Sequence, residues 1–427
     1  MTTDLLHVLA SDSIAGKLVR HKGAKLEFTY DAQYLTDPAS TPLSMSMPLR
    51  AEPYTDHVIN PWLWNLLPDN DAVLDRWSRQ FHVSATSAFS LLSTPVGEDC
   101  AGAVRFVNPE DTDRALTRDG SVDWLTDDDV AIRLRELRRD TSNWLGTAFT
   151  GQFSLAGAQA KTALLYQDGR WGSPHGSTPT THILKPAIAG LNEHDLNEHL
   201  CLDAARRSDL LAVRTEIRQF GDATALVVGR YDRVVRNGYI TRVHQEDVCQ
   251  ALGLPPSKKY QNDGGPGVRE VATMFRRVMA PQVADKAVAR FADALIWNWL
   301  IGSTDAHAKN YSLLLSGRQV RLAPLYDVAS ALPYGDHEKK LRLAMKVGSE
   351  YQLNPYRNRW PAAAAALGLD AHELATRVIE LGTRAPDAFA EAAKAEEVVA
   401  LGSDLPGRLT DLVANRAKRC LQLCQDT

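Results

Sequence analysis

The sequence predicts an α+β protein in which a β-rich N-terminal region precedes a helical C-terminal one, and three observations carry this. Short apolar runs separated by turn-forming residues fill the first fifty positions and return between Lys161 and Val228. From about Tyr231 the pattern turns mostly helical, ending in alanine-rich segments between Pro361 and Gln422. A chain of 427 residues is also long for one core, so two or three domains are expected.

Taken in order, strands are expected at Leu5–Leu9, Lys17–Arg20, Leu26–Tyr30 and Leu43–Met47, then helices at Pro61–Leu67, Asp71–Phe81 and Thr86–Leu92 and a strand at Ala103–Val107. The polar stretch Asn108–Ser121 reads as a linker. Thr126–Arg139 has the acidic opening that suits a helix N-terminus. Lys161–Tyr166 and Trp171 flank Asp168-Gly169, a two-residue hairpin signal. A strand Thr181–Lys185, a helical stretch Asn192–Ala205 and an apolar strand Ala225–Val228 follow. The expected division is 1–120, 121–230 and 231–427.

Composition excludes several classes. Hydrophobic residues at 44% and charged residues at 23% are ordinary for a globular protein. A formal charge of −4 gives no electrostatic reason for strong nucleic-acid binding by this chain alone. Five scattered cysteines without a C-x-x-C pair argue against a disulfide framework or structural zinc; Cys420 and Cys424 share a helix face as packing residues. With no signal-peptide pattern and no run of about 18 apolar residues, a cytoplasmic protein off the membrane is expected.

The chemistry concentrates in Asp305-Ala-His-Ala-Lys-Asn310. The apolar helix Val288–Ile301 should end at Gly302, leaving Asp305 on a supported but open loop. Tyr311–Leu315 and Val320–Leu325, joined by Ser316-Gly317-Arg318-Gln319, read as a hairpin that returns Asp327 to the neighbourhood of Asn310. An amide oxygen and a carboxylate brought together are hard ligands suited to Mg²⁺. One carboxylate to take a hydroxyl proton and two groups for metal are the parts of a kinase, whose bilobal division the chain's β-rich and helical halves match. Upstream, Ser154-Leu-Ala-Gly-Ala-Gln-Ala-Lys161 is a small-residue loop whose backbone amides can approach phosphate. Lys185 ends a strand and can reach nucleotide phosphates, with Glu198 or Glu193 as its partner. Tyr231 is a candidate adenine contact, and Lys259–Gly267 a polar loop that either borders the substrate cleft or is plain surface.

Phe153–Lys161, Thr181–Lys185, Arg230-Tyr-Asp-Arg233, His244-Gln-Glu-Asp-Val-Cys249, Asp305–Asn310 and Tyr326-Asp327 together resemble the HipA family, the serine/threonine kinase toxins of bacterial toxin–antitoxin pairs. Pro42-Leu-Ser-Met-Ser-Met-Pro48 and Asn65-Leu-Leu-Pro-Asp-Asn70 resemble that family's extra N-terminal subdomain, so the likeness covers nearly the whole chain. The resemblance implies a kinase-like bilobal fold with an all-helical C-terminal lobe. It implies Asp305 as catalytic base and Asn310 and Asp327 as Mg²⁺ ligands. Ala156, Gly157, Ala158, Gln159, Lys161, Lys185, Tyr231, His307 and Lys309 would form the ATP-binding set, and Ser154 would be the self-phosphorylated serine. Partners implied are a small helix-turn-helix antitoxin of HipB type, operator DNA reached through it, and an aminoacyl-tRNA synthetase as substrate, typically the glutamyl enzyme. The chain departs from the family at Gly229, where the best-known member has an acidic hinge residue, and from ordinary protein kinases in reading Asp327-Val-Ala rather than D-F-G. Two rivals remain at this stage: a small-molecule kinase of aminoglycoside type, and an inactive co-repressor bound to a DNA-binding antitoxin.

Overall fold

The computed structural model describes residues 4–117, 120–146, 152–236, 239–335, 340–353 and 359–425. The chain folds as two compact units, the first made of Met1–Pro186, Gln219–Pro256 and Leu313–Val320, the second of Ala187–Arg218, Ser257–Ser312 and Arg321–Thr427.

The first unit carries the two largest sheets. In one, Tyr54–Thr55, Leu26–Tyr30, Ser13–Arg20, Leu5–Ala10 and Val104–Val107 lie side by side in that order, all antiparallel. Their inward residues, among them Leu6, Leu18 and Phe28, pack with Trp62, Trp77, Phe106, Trp144 and Phe153 into one core. In the other, Ala223–Gly229, His182–Lys185, Thr162–Gln167, Arg170–His175 and Ser121–Leu125 are neighbours in that order. Val130 and Leu134 of the helix Asp127–Arg139 close its core against Leu164, Trp171 and Phe220. That helix has a full capping box, Thr126 and Asp129 satisfying each other's backbone amides. The expected Asp168-Gly169 turn joins Thr162–Gln167 to Arg170–His175, both turn residues having positive φ.

The second unit is helix-dominated. His194–Arg207, Val268–Val278, Pro281–Ile301, Trp360–Leu367, Ala371–Ala392 and Leu405–Gln425 are its longer helices, and a short ladder pairs Arg342–Val347 with Glu350–Gln352. Strands therefore occur within the region read as all-helical, alongside the hairpin that the sequence does predict. Trp299 and Trp360 meet edge to face at 5.3 Å. Arg416, fully buried beside them, donates through Nε and Nη2 to the carbonyls of Trp299 and Leu353, which offset part of the cost of burying its charge.

Three local expectations change. Leu43–Met47 is a turn closed by a Ser44↔Met47 bridge, because side chains satisfy its backbone: the Tyr30 hydroxyl accepts from Leu43 N and donates to Met47 O. The helix read at Pro61–Leu67 runs from Asp56 to Trp64, with Pro61 inside it. The stretch read as a linker holds a short helix, Thr112–Leu116, and its last residue opens the strand Ser121–Leu125. Cys100, Cys201, Cys249 and Cys420 are buried free thiols, while the side chain of Cys424 lies outside the described residues.

A buried charge cluster ties the first unit together. Asp99 accepts from Arg230, Arg233 and Arg242, and Asp232 from Arg230, with every one of these side chains at most 8% exposed. Burial pushes the Asp99 carboxyl up, but Arg233, Arg230 and Arg242 more than reverse this and hold it well below the usual range. Removing one partner strands the others without compensation. Asp99→Ala should therefore destabilise the protein by about 3–5 kcal/mol in urea unfolding; a loss below about 1 kcal/mol would show that water or rearrangement compensates the arginines.

Glu246 is fully buried, accepting from Ser44 Oγ and from Met45 N at 2.8 Å, and burial raises its pKa from 4.5 to about 8. Its folded value lies above its unfolded one, so the stability it confers is complete below pH 4.5 and is lost as pH rises to about 8. Glu246→Gln should flatten that decline. The difference in melting temperature between variant and native chain should grow in the variant's favour from pH 5 to 8, and a constant difference would refute the assignment.

Candidate active site

The sequence-predicted residues fall into two groups, one in each unit. In the second unit the helix Pro281–Ile301 ends at Gly302, whose φ of 70° lets its amide and that of Ser303 both close on the Asn298 carbonyl. The chain leaving it is pinned at successive positions: Ser330 Oγ donates to Ile301 O at 2.6 Å, Ala331 N to Gly302 O, and Ala344 N to Thr304 O. Asp305 follows, exposed, at the head of a tight turn. Its carbonyl accepts from His307 N at 2.7 Å and from Asn310 Nδ2 at 2.9 Å. Because the amide nitrogen of Asn310 faces that carbonyl, its oxygen points the other way, the orientation a metal ligand needs.

The hairpin predicted from sequence forms, Ser312–Ser316 with Gln319–Leu322. Its ends return together as expected: the Tyr326 hydroxyl donates to Lys309 O at 2.6 Å and lies 2.6 Å from Ser312 Oγ. Asp327, next to Tyr326, is half-buried with a φ of 58°, a left-handed conformation that aspartate tolerates better than most residues. His307 and Lys309 are buried within the turn. Asp305, His307, Lys309 and Asn310 thus share one turn, and Tyr326 brings Asp327 to its edge.

The other group lies in the first unit. Ser154 is fully buried; its Oγ donates to Leu66 O at 2.8 Å and its amide to Asp99 O at 3.0 Å. The loop beyond it is held by the Asn65–Asn70 segment, with Asp69 N donating to Gly157 O at 3.1 Å and Asn70 Nδ2 to Ala158 O at 3.3 Å. Asn70 spends its other amide atom as the cap of the helix Asp71–Phe81, accepting from Ala72 N. Gly157 has a φ of 103°, open only to glycine without strain, and a Cβ there would stand 2.6 Å from Lys161 Nζ. Lys161 is buried, donates to Ala156 O at 2.7 Å and lies 4.9 Å from the Trp144 ring centre. Among the described residues, Gln159 Nε2 is buried without a hydrogen-bond partner, a donor that an anion would satisfy.

Lys185 ends a strand paired on both sides, through Leu226↔Lys185 and Thr162↔Leu184, which puts it at the same strand end as the loop's exit at Lys161. Tyr231 is half-buried and its hydroxyl donates to Gln245 Oε1. Its neighbours Arg230, Asp232 and Arg233 belong to the charge cluster, a role the linear spacing does not reveal because Asp99, the partner of the two arginines, is 131 residues from Arg230 and 134 from Arg233. Sequence reasoning also passed over Asn70 as a support for the loop and Tyr260, whose hydroxyl donates to Asp305 Oδ1 at 2.7 Å. For Tyr260 the only signal was that its loop lacks an apolar face, so something other than packing must hold it.

Comparison with known proteins covers nearly the whole chain. Residues 6–107 match the model of the HipA N-terminal domain and residues 153–389 that of the HipA-like C-terminal domain. The Y4mE protein of Sinorhizobium fredii is 33% identical over 421 residues, 98% of this chain and 99% of its own. The serine/threonine-protein kinase toxin HipA of Shewanella oneidensis is 31% identical over 85% of this chain and 84% of its own. A solved complex of Shewanella oneidensis HipA, HipB and operator DNA superposes with a TM-score of 0.83 at 25% identity, covering 99% of this chain and 98% of that one. That superposition establishes the expected kinase-like α+β fold. With one family model spanning more than half its length and a relative above 30% identity along nearly all of it, the chain belongs to the HipA family of kinases.

Proposed function

We propose that the chain is an ATP-dependent serine/threonine protein kinase acting as the toxin of a toxin–antitoxin pair. The observation that carries the reading is the Asp305–Asn310 turn, which presents an exposed carboxylate and, five residues on, an amide whose nitrogen is tied back to the same turn. In the reaction a serine or threonine hydroxyl loses its proton to the Asp305 carboxylate. Its oxygen bonds to the γ-phosphorus as the bond to the β-bridging oxygen breaks, and ADP leaves. Asn310 and Asp327 are hard oxygen donors that fit Mg²⁺, which when bound would neutralise charge on the phosphates. Lys185, Lys161, Gln159 and the amides of Ala156–Ala158 would hold those phosphates, with Tyr231 toward the base and His307 and Lys309 supporting the turn.

The proposed substrate is a component of translation, an aminoacyl-tRNA synthetase such as the glutamyl enzyme. The proposed partner is a small HipB-like antitoxin, through which the chain would meet operator DNA in the cytoplasm. The Shewanella complex supports this partnership by its composition. Among the described residues, no helix is long and apolar enough to cross a membrane. Self-phosphorylation at Ser154 would be the off switch. The hydroxyl is sealed against Leu66 O, so the loop must leave its seat before Ser154 can react, and about two added negative charges would keep it from returning to a phosphate-binding role.

Incubation with γ-labelled ATP and a cell lysate tests the reading. Asp305→Asn should lower labelling of lysate protein by about 10²–10⁴-fold, and equal labelling by both chains would defeat it. Ser154→Ala should abolish self-labelling while labelling of lysate protein continues; a label that persists elsewhere on the chain removes Ser154 from its role. Asn70→Ala, which takes one hydrogen bond from the loop, should raise the KM for ATP by about two- to tenfold with kcat little changed.

A further inference from the structure

The segment Lys259–Gly267 is built onto the Asp305 turn. The Lys259 carbonyl accepts from Ala308 N at 3.1 Å. The Tyr260 ring stands edge-on to the His307 imidazole, with centroids 5.0 Å apart and planes at 83°, and its hydroxyl donates to Asp305 Oδ1 at 2.7 Å. Among the described residues this is the only side-chain hydrogen bond to the Asp305 carboxylate.

The segment is stiff despite its polar, glycine-rich composition. Asp263 N and Gly265 N both donate to the Tyr260 carbonyl, at 3.0 and 2.9 Å, and Lys258 Nζ donates to Asp263 O at 2.7 Å. A Cβ on Gly265 would lie 2.1 Å from Lys258 O, so only glycine allows the chain to pass this close. Beyond Tyr260, Gln261 Oε1 accepts from Lys346 N at 2.7 Å, tying the segment to the strand Arg342–Val347. Tyr260 is therefore presented from a braced frame. Asp305 is the exposed member of the pair, and an exposed aspartate rotates freely unless something holds it.

We infer that Tyr260 is a positioning residue for phosphoryl transfer: its hydroxyl holds one oxygen of Asp305 so that the other is presented to the incoming serine or threonine hydroxyl. The inference rests on the reading of Asp305 as the base. Two contacts converge on the same few atoms, the ring through His307 and the hydroxyl through Asp305, and a tyrosine placed only for packing would not need the second. Orientation of a reacting group within a few tenths of an ångström is worth a large rate factor, and a donor fixed to a rigid support supplies it.

The test compares Tyr260→Phe, Tyr260→Ala, Asp305→Asn and the double variant Tyr260→Phe/Asp305→Asn as full-length chains. Initial rates of label transfer from γ-labelled ATP into lysate protein are read at saturating and limiting ATP, with melting temperatures alongside. Phenylalanine keeps the ring on His307 and loses only the hydroxyl, so the saturating rate should fall about tenfold or more with the KM for ATP and the melting temperature unchanged. The double variant should be no slower than Asp305→Asn alone, since the hydroxyl acts only through that carboxylate. If Tyr260→Phe runs at the native rate and only Tyr260→Ala is slow and less stable, the tyrosine is packing and the inference falls. A faster Tyr260→Phe also overturns it, since the hydroxyl would then be masking the base. An active Asp305→Asn defeats the base assignment itself and this inference with it, whereas an inactive Asp305→Asn beside a native-like Tyr260→Phe defeats the inference alone.

Discussion

Three guanidiniums and two carboxylates sealed from water, Arg230, Arg233 and Arg242 against Asp99 and Asp232, hold together the parts of the first unit that the rest of the structure relies on. They join four distant stretches of chain. Arg230 Nη2 and Arg233 Nη2 both reach the Cys100 carbonyl, Arg242 Nη1 reaches Ser177 O, and Thr180 donates to Asp99 through both its amide and its hydroxyl. Taking five charges out of water is expensive, and close pairing with many hydrogen bonds is what offsets the cost. That demand makes the arrangement selective rather than merely cohesive. The backbone carbonyl of the same Asp99 accepts from Ser154 N, so the start of the proposed phosphate-loop segment inherits its position from the charge cluster.

The candidate catalytic turn of the second unit is held by a different kind of force. Its supports are neutral and mostly backbone: the end of a long buried helix, the Asp305 carbonyl taking two donors, and the Tyr326 hydroxyl bridging to Lys309. Bonds to a helix end place a carboxylate that stays exposed, which leaves Asp305 open to solvent. The same unit seals Arg416 in its core, giving its guanidinium the Trp299 and Leu353 carbonyls. Burial lowers its pKa to about 10, still high enough to keep it charged at neutral pH.

Local patterns were legible wherever one short stretch contains its own reasons. Asp71–Phe81 carries its cap, Asn70, and its apolar stripe of Val73, Leu74 and Trp77, and the helix appears with the expected bounds. Leu26–Tyr30 alternates and pairs as expected. The hairpin after Asn310 needed only two apolar runs and a turn. Leu43–Met47 failed the same method because its backbone partners, the Tyr30 hydroxyl and the Glu246 carboxylate, come from elsewhere in the chain. Tyr260 and Asn70 were overlooked for a related reason: a hydroxyl or amide acts through whatever lies about 3 Å away, and the linear order of residues does not say what that is.

The sequence by itself therefore determined the α+β class, most of the elements, the family, and the identity of the groups at the candidate site, since period, capping and motif spacing are properties of neighbouring residues. The tertiary structure decided which long-range partners those groups find. It turned the Arg230-Tyr-Asp-Arg233 motif into a structural charge cluster and buried Ser154 under Leu66. It also set the Tyr260 hydroxyl on the Asp305 carboxylate. Each of these brings together residues 45 to 134 positions apart, the first two in buried surroundings and the third at an exposed turn. Such contacts arise only when the cores close, because desolvation gives a buried hydrogen bond or ion pair a strength and directionality that the same groups lack in water.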